Sequence, residues 1–252
     1  MGPRKCLFLP LLGILLVAGL LGFVCPAGAA AVNHDIYASL LAHYVKNGIV
    51  DYAGFKKEEA KLDKYLKLLE NTDLKTLSRN DQFAFYVNAY NAWTIKLILT
   101  GYPEVKSIKD LGGFFGPWKK KFVRIDKKIT TLDHVEHDIL RPQFKDPRVH
   151  FAVNCASKGC PPLLSEPYQG SKLDEQLNRS TRAFISNPQR NYLDGNKLHV
   201  SSIFKWFEED FDHDIPGFFL KYAEGNLKKE LQVTKGKIKV KYLKYDWSLN
   251  GK

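Results

Sequence analysis

Cysteine is scarce in this chain, with four in 252 residues at positions 6, 25, 155 and 160. Two of them fall in the N-terminal segment, so only Cys155 and Cys160 remain for the folded part. A scaffold held by several disulfides is therefore excluded. Spaced CxxC pairs and the HExxH pattern are missing, which removes the commonest signatures of bound zinc. No glycine-rich loop follows a strand and carries the lysine that phosphate binding needs; Gly112-Gly113 has neither. The GxSxG elbow of serine hydrolases is absent as well. Repeats, low-complexity tracts and linker-like breaks are lacking too, which leaves one α+β domain after the N-terminal segment.

That first segment is not fold. Met1–Lys5 is short and basic, Cys6–Val24 is almost wholly apolar, and Pro26–Ala31 offers small-residue cleavage sites. This is the layout of a secretory signal peptide over residues 1–31. An uncleaved anchor is the alternative, because the apolar run approaches the ~20 residues that span a bilayer. The reading is export to a periplasmic or extracellular space, with no transmembrane segment in the mature chain. Removing the segment takes Arg4 and Lys5 and no acid, so a net charge of +11 becomes +9, with 36 basic residues against 27 acidic ones. A basic exported surface suits an anionic envelope component or a polysaccharide and makes nucleic acid an unsuitable partner.

Periodicity places amphipathic helices at about 34–46, 56–70, 173–186, 203–211 and 217–224. Ser78-x-x-Asp81 reads as a capping box opening a long helix to about residue 99. Aromatic and aliphatic residues surround that helix on nearly all sides, so it is central. Hairpins are expected at 122–130 and 192–200, and a half-exposed strand at 237–245. Thr130-x-x-Asp133 caps a short helix that Pro142 stops. The fold class is α+β, a single domain with a central long buried helix and a small mixed or antiparallel sheet.

Two features carry the candidate chemistry. Val149–Val153 reads as a short buried strand running into Asn154, Cys155 and Cys160 and ending at Pro161-Pro162. In an oxidising space the two cysteines form a small bridge, or Cys155 is a working thiol. On a strand, His150 would lie about 16 Å from Cys155 and face the other way, which leaves it a structural role. The second feature is Glu136, which falls inside the apolar arc of its helix, where an unpaired charge is costly. His137 lies at the rim on one stripe with Asp133 and Arg141, and is the better base for Cys155.

The catalytic candidates are thus Cys155, His137 and Glu136. Asn88, Asn91, Arg141 and Asn154 are candidates for binding, although buried amides commonly serve to bond backbone. No cofactor is implied and no metal ligands are assigned, because the ligand types at 133–138 more often make a solvated helix face, which leaves a metal only as the minor reading. Three readings follow: a cysteine-dependent hydrolase or acyl/amide transferase, a non-catalytic envelope binding or assembly domain stapled by Cys155–Cys160, and a metal-assisted hydrolase at Glu136–His137.

Five blocks in order resemble the domain-of-unknown-function family 547, which occurs in bacteria and plants. They are DQFAFYVNAYNAWTIKLIL (81–99), TLDHVEHDILR (131–141), DPRVHFAVNCASKGCPPL (146–163), IFKWFEEDF (203–211) and KYDWSLN (244–250). The resemblance groups Asn88, Asn91, Glu136, His137, Arg141, His150, Cys155 and Cys160 with Trp206, Asp210 and the terminal Tyr245-Asp246-Trp247. The resemblance assigns these residues no roles; His150, Trp206 and Asp210 are taken as structural. It implies no activity.

Overall fold

The structure, a computed structural model, describes residue 2, residues 31–113 and residues 116–251. The expected signal segment falls outside the described residues, apart from Gly2 and Ala31. Helix α1 (Asp35–Tyr44) has His34 and not Asn33 at its N-cap, without a side-chain cap bond, while Asn33 Oδ1 accepts from Asp35 N at 2.8 Å. A two-residue hairpin follows, β1 (Val45–Lys46) against β2 (Ile49–Val50). Asn47 (φ 51°) and Gly48 (φ 78°) make its turn. The helical region expected at 56–70 begins earlier, as α2 (Tyr52–Lys57) and α3 (Glu59–Asn71).

Helix α4 (Arg79–Leu99) has the expected bounds, with Ser78 Oγ accepting from Asp81 N. Sixteen of its 21 residues are buried. It packs against α2 and α3, so the longest of the described helices is also the centre of the larger apolar cluster. The hairpin β3 (Val123–Ile125) and β4 (Lys128–Thr130) lies within the expected 122–130, turning at Asp126-Lys127.

Three local expectations are corrected. The cap of the next helix is Thr131, whose hydroxyl accepts from His134 N at 2.9 Å; Thr130 is already paired with Val123. The helix begins as α5 (Leu132–His134) and continues as a π-helix, Val135–Phe144, which passes through Pro142. In an α-turn the proline ring would meet the carbonyl four residues back; the wider i→i+5 turn moves that carbonyl away. The segment ends only at Lys145, in a left-handed conformation.

Third, Val149–Val153 is not a strand. Asp146 accepts from Arg148 N, Pro147 occupies the first helical position, and Pro147–Phe151 is a 3-10 helix. A capping acid followed by proline starts a helical turn, and it overrides the β-propensity of the valines. The run is apolar because it lies at the seam of two cores. Val149 belongs to the cluster around α4, and Phe151 to a second cluster around Phe184, Phe204 and Phe219.

That second cluster is built by α6 (Leu173–Ile185) and by the sheet of β5 (Tyr192–Asp194), β6 (Lys197–Val200) and a later strand. The helix expected at 203–211 is split into α7 (Ile203–Trp206) and a 3-10 turn, Glu208–Phe211. Helices α8 (Ile215–Tyr222) and α9 (Gly225–Val233) follow, the last not anticipated from sequence. Strand β7 (Lys239–Tyr242) closes a mixed three-stranded sheet, antiparallel between β5 and β6 and parallel between β6 and β7. The α+β class and the central helix stand. None of the described helices is long and apolar enough to cross a membrane.

Candidate functional site

A cleft of about 260 Å³ opens where the two apolar clusters meet. Its rings are Tyr90 on α4, Trp118 after the glycine loop, Trp206 and Phe207 at the end of α7, and Tyr245 and Trp247 near the C-terminus. Trp247 stands 5.6 Å from both Trp118 and Trp206, edge-on to the first and stacked on the second. Tyr245 joins them at 4.8 Å from Trp206 and 4.6 Å from Trp247. Trp206 remains 46% exposed.

The cysteines form the floor. Cys155 and Cys160 are joined in a disulfide, and both line the cleft. Cys155 is half-buried and Cys160 is buried beneath it. Cys160 Sγ accepts from Cys155 N at 2.9 Å and from the Tyr245 hydroxyl at 3.3 Å. That hydroxyl also lies 3.3 Å from Cys155 Sγ and accepts from Ser157 Oγ at 3.2 Å. Burial pushes the Tyr245 phenol up to about 12, so it stays a donor to sulfur at neutral pH. Ala156, between the cysteines, is left-handed (φ 59°). The loop is clasped from behind by the C-terminus, with Gly159 N donating to Asp246 O and Lys158 N to Ser248 O, each at 2.8 Å.

Glu136 and His137 line the same cleft, so the helix with the misplaced acid and the sulfur loop do converge. Glu136 is 8% exposed. Among the described residues no basic side chain pairs with it, because the cations of its own helix are committed elsewhere. Arg141 Nη1 donates to His137 Nδ1 at 2.9 Å, while Nε and Nη2 of Arg141 grip Asp210 at 2.6 and 3.0 Å. The lone pair of His137 Nδ1 is therefore turned to Arg141. His137 Nε2 lies 3.9 Å from Asp133, and no hydrogen bond joins His137 to Cys155 among the described residues. Tyr90 sits beside Glu136, and burial together with that carboxylate's charge holds its phenol well above the usual range.

His150 also lines this cleft, contrary to the geometry of a strand; the 3-10 turn shortens the path from it to Cys155 and abolishes the alternation of faces. Its Nε2 donates to Asp210 at 2.6 Å, and its ring stacks on Phe207 at 3.9 Å. Burial opposes ionisation of Asp210, but hydrogen bonds from His150 and Arg141 hold its carboxyl well below the usual carboxylate range. The Arg141–Asp210–His150 cluster thereby fastens the π-helix, the 3-10 turn at 147–151 and the turn at 208–211 together.

The amides stand apart from the cleft wall. Asn88 and the backbone of Tyr168 exchange two bonds, both 2.8 Å. Asn91 donates to Ala152 O at 3.0 Å and accepts from Asn154 N at 2.8 Å. Asn154 donates to Pro161 O at 2.8 Å. All three tie loops to α4 or to one another. Among the described residues no three His, Cys, Asp or Glu side chains gather as a metal-binding group.

Sequence reasoning missed the wall itself: Tyr90, Trp118, Phe207, Tyr245 and Trp247 carried no role. The available signal was weak: three of the four tryptophans, at 118, 206 and 247, stand outside the long apolar helix. Residues 74–185 match the model of a family described as protein of unknown function, DUF547. The matched stretch contains α4, the π-helix and the cysteine loop; Trp206, Asp210 and the terminal Tyr245-Asp246-Trp247 lie beyond it. No curated protein matches the chain, and no solved structure does.

Proposed function

We propose, from a family match that carries no activity and a cleft that has the make-up of a receptor, that this is an exported envelope binding domain. The cleft takes a small ligand, and the Cys155–Cys160 bridge is its rigid floor. One observation carries the reading: a half-exposed tryptophan stands at the mouth of an aromatic cleft whose depth holds a carboxylate without a cation. Ligand sites are concave and mostly apolar, with few polar groups to fix orientation. The exposed lysines 235, 237, 239, 241 and 244, on or beside β7, support docking of the outer surface on an anionic envelope component or polysaccharide.

The test is a thermal-shift screen of amines, saccharides and peptides on the wild type and on Trp206→Ala. A ligand that binds only the folded state stabilises it by RT ln(1 + [L]/Kd). The expected result is a set of compounds that raise the midpoint of the wild type and leave the variant unmoved. Identical responses from both proteins would remove the cleft from the account.

A second reading has its own support in the half-buried Cys155 sulfur, which faces the same cleft as Glu136. A hydrolase or acyl/amide transferase would use Cys155 as nucleophile once the bridge is reduced. Thiolate chemistry needs a free sulfur. Titration of the exported protein before reduction separates the two readings: no reactive thiol at 155 or 160 fits the binding domain, and a reactive one at 155 replaces it with the enzyme.

A further inference from the structure

Resting on the binding reading, we infer that the cleft is an aromatic cage for an alkylated ammonium group, of the kind carried by choline.

The first ground is charge. The chain is strongly basic at +11, yet among the described residues the fixed charges lining the cleft are two acids, Asp133 and Glu136, against one base, Lys119. Lys119 is exposed at the rim, where water and salt screen it, whereas Glu136 is buried. The Arg141 charge behind the wall is met by the two-pronged contact with Asp210. The depth of the cleft is thus a negative site inside a positive molecule. The anionic ligand suggested by overall charge fits the outer surface and not this cavity.

The second ground is the kind of polar complement offered. A saccharide needs several directional donors and acceptors to replace the water around its hydroxyls. The amides Asn88, Asn91 and Asn154 do not line the cleft and are committed to other protein groups. An alkylated ammonium makes no hydrogen bonds through its methyl groups. It asks only for ring faces and a counter-charge, and these are what the wall provides.

The third ground is that the wall already holds an ammonium. Lys109 Nζ lies 3.8 Å from the ring centroid of Trp247, while Lys109 does not line the cleft. The aromatic cluster therefore accepts a cation on one side. At about 260 Å³ the cleft is of a size for one small head group.

The experiment follows tryptophan emission of the full exported chain, with its bridge intact, during titration with choline chloride. The control is 3,3-dimethylbutan-1-ol, which replaces the nitrogen by carbon. Saturable quenching by choline and none by the alcohol is expected. Glu136→Gln should raise Kd about tenfold, the equivalent of ~1.4 kcal/mol. Trp206→Ala, at an exposed position safe for folding, should weaken binding by a similar factor. Vesicles of phosphatidylcholine form a second arm: binding to them in preference to free choline makes the source a lipid head group, and the reverse a free solute. Equal response to choline and the alcohol overturns the charge assignment. Quenching by a sugar acid such as glucuronate, without choline, overturns the inference and leaves the binding reading standing. Silence to all probes, together with identical thermal shifts for wild type and Trp206→Ala, removes both.

Discussion

Asp210 shows how a single carboxylate can set the geometry of a site it does not occupy. It receives two bonds from Arg141 and one from His150, so three separate turns hang on one side chain. A hydrogen bond to a charged partner contributes roughly 1.5–3 kcal/mol. Asp210→Asn keeps the shape and removes the charge, so it should lower stability at pH 7 by about 1–3 kcal/mol. The sign of the pH dependence follows from the depressed acidity. In the folded chain Asp210 stays ionised below the ~3.9 of a free aspartate, so the unfolded chain binds more protons in that window. Its contribution is complete above about pH 5 and is lost as pH falls toward and through the lower folded value. Urea melts at pH 7 and near pH 3 should therefore show the gap between wild type and variant narrowing in acid. A gap that stays constant would sink the ionic account. This cluster was only partly legible in the sequence. The helical wheel put Glu136 in the core and His137 beside Arg141, because those relations are local. The partnership of Arg141 and His150 with Asp210 spans 69 and 60 positions, and no periodicity encodes it.

At the scale of elements, the sequence was most readable where the signal lies within one turn. Ser78 and Asp81 marked α4 to the residue, and the Asp126-Lys127 turn marked the hairpin of β3 and β4. It misled where an apolar run is buried for a tertiary reason. Val149–Val153 has the composition of a strand, but Asp146-Pro147 begins a 3-10 turn there, and that difference brings His150 into the cleft. The π-winding of 135–144 was equally hidden, since its only local sign is a proline that fails to end the helix. The C-terminal segment is the plainest case of a non-local element. Asn250 is buried, its Oδ1 accepts from the Tyr52 hydroxyl at 2.7 Å, and its Nδ2 donates to Asn154 Oδ1 at 3.1 Å. Its backbone bonds Ala156 O at 3.1 Å and Val50 N at 3.2 Å. One residue thus joins the β2 end, α2 and the cysteine loop. Asn250→Ala strands the buried Tyr52 hydroxyl and weakens Asn154, at ~1–3 kcal/mol for each group left unsatisfied. The expected loss is about 2 kcal/mol or more, read as a lower denaturation midpoint at unchanged m-value. A variant as stable as the wild type would show that the tail only covers the loop.

For the molecule as a whole, the question is what the disulfide contributes once the two cores are counted. The larger cluster draws on α1 to α4 and the smaller on α6 to α8 with the sheet; neither is built from the sulfurs. Closing a ring between residues only five apart stabilises by about 2 kcal/mol in the chain-entropy view. In a domain of this size, ~1 kcal/mol moves the melting midpoint by roughly 2–4 °C. Reduction should therefore lower the midpoint by about 4–8 °C while leaving one cooperative transition. The cleft should respond more sharply than the fold. The bridge fixes the floor beneath Tyr245, and Tyr245 in turn fills the space above Gly159, where an added Cβ would lie 2.7 Å from its ring. Freed sulfurs leave that ring with a looser seat, and the wall it shares with Trp206 and Trp247 loses its fixed spacing. Melting curves and tryptophan emission, recorded together during stepwise reduction, separate the two effects. The emission change should be complete at a reductant level where the chain is still fully folded at 25 °C. If emission and unfolding instead move together, the sulfur pair holds up the domain and not merely the cleft, and the picture of two self-sufficient cores fails.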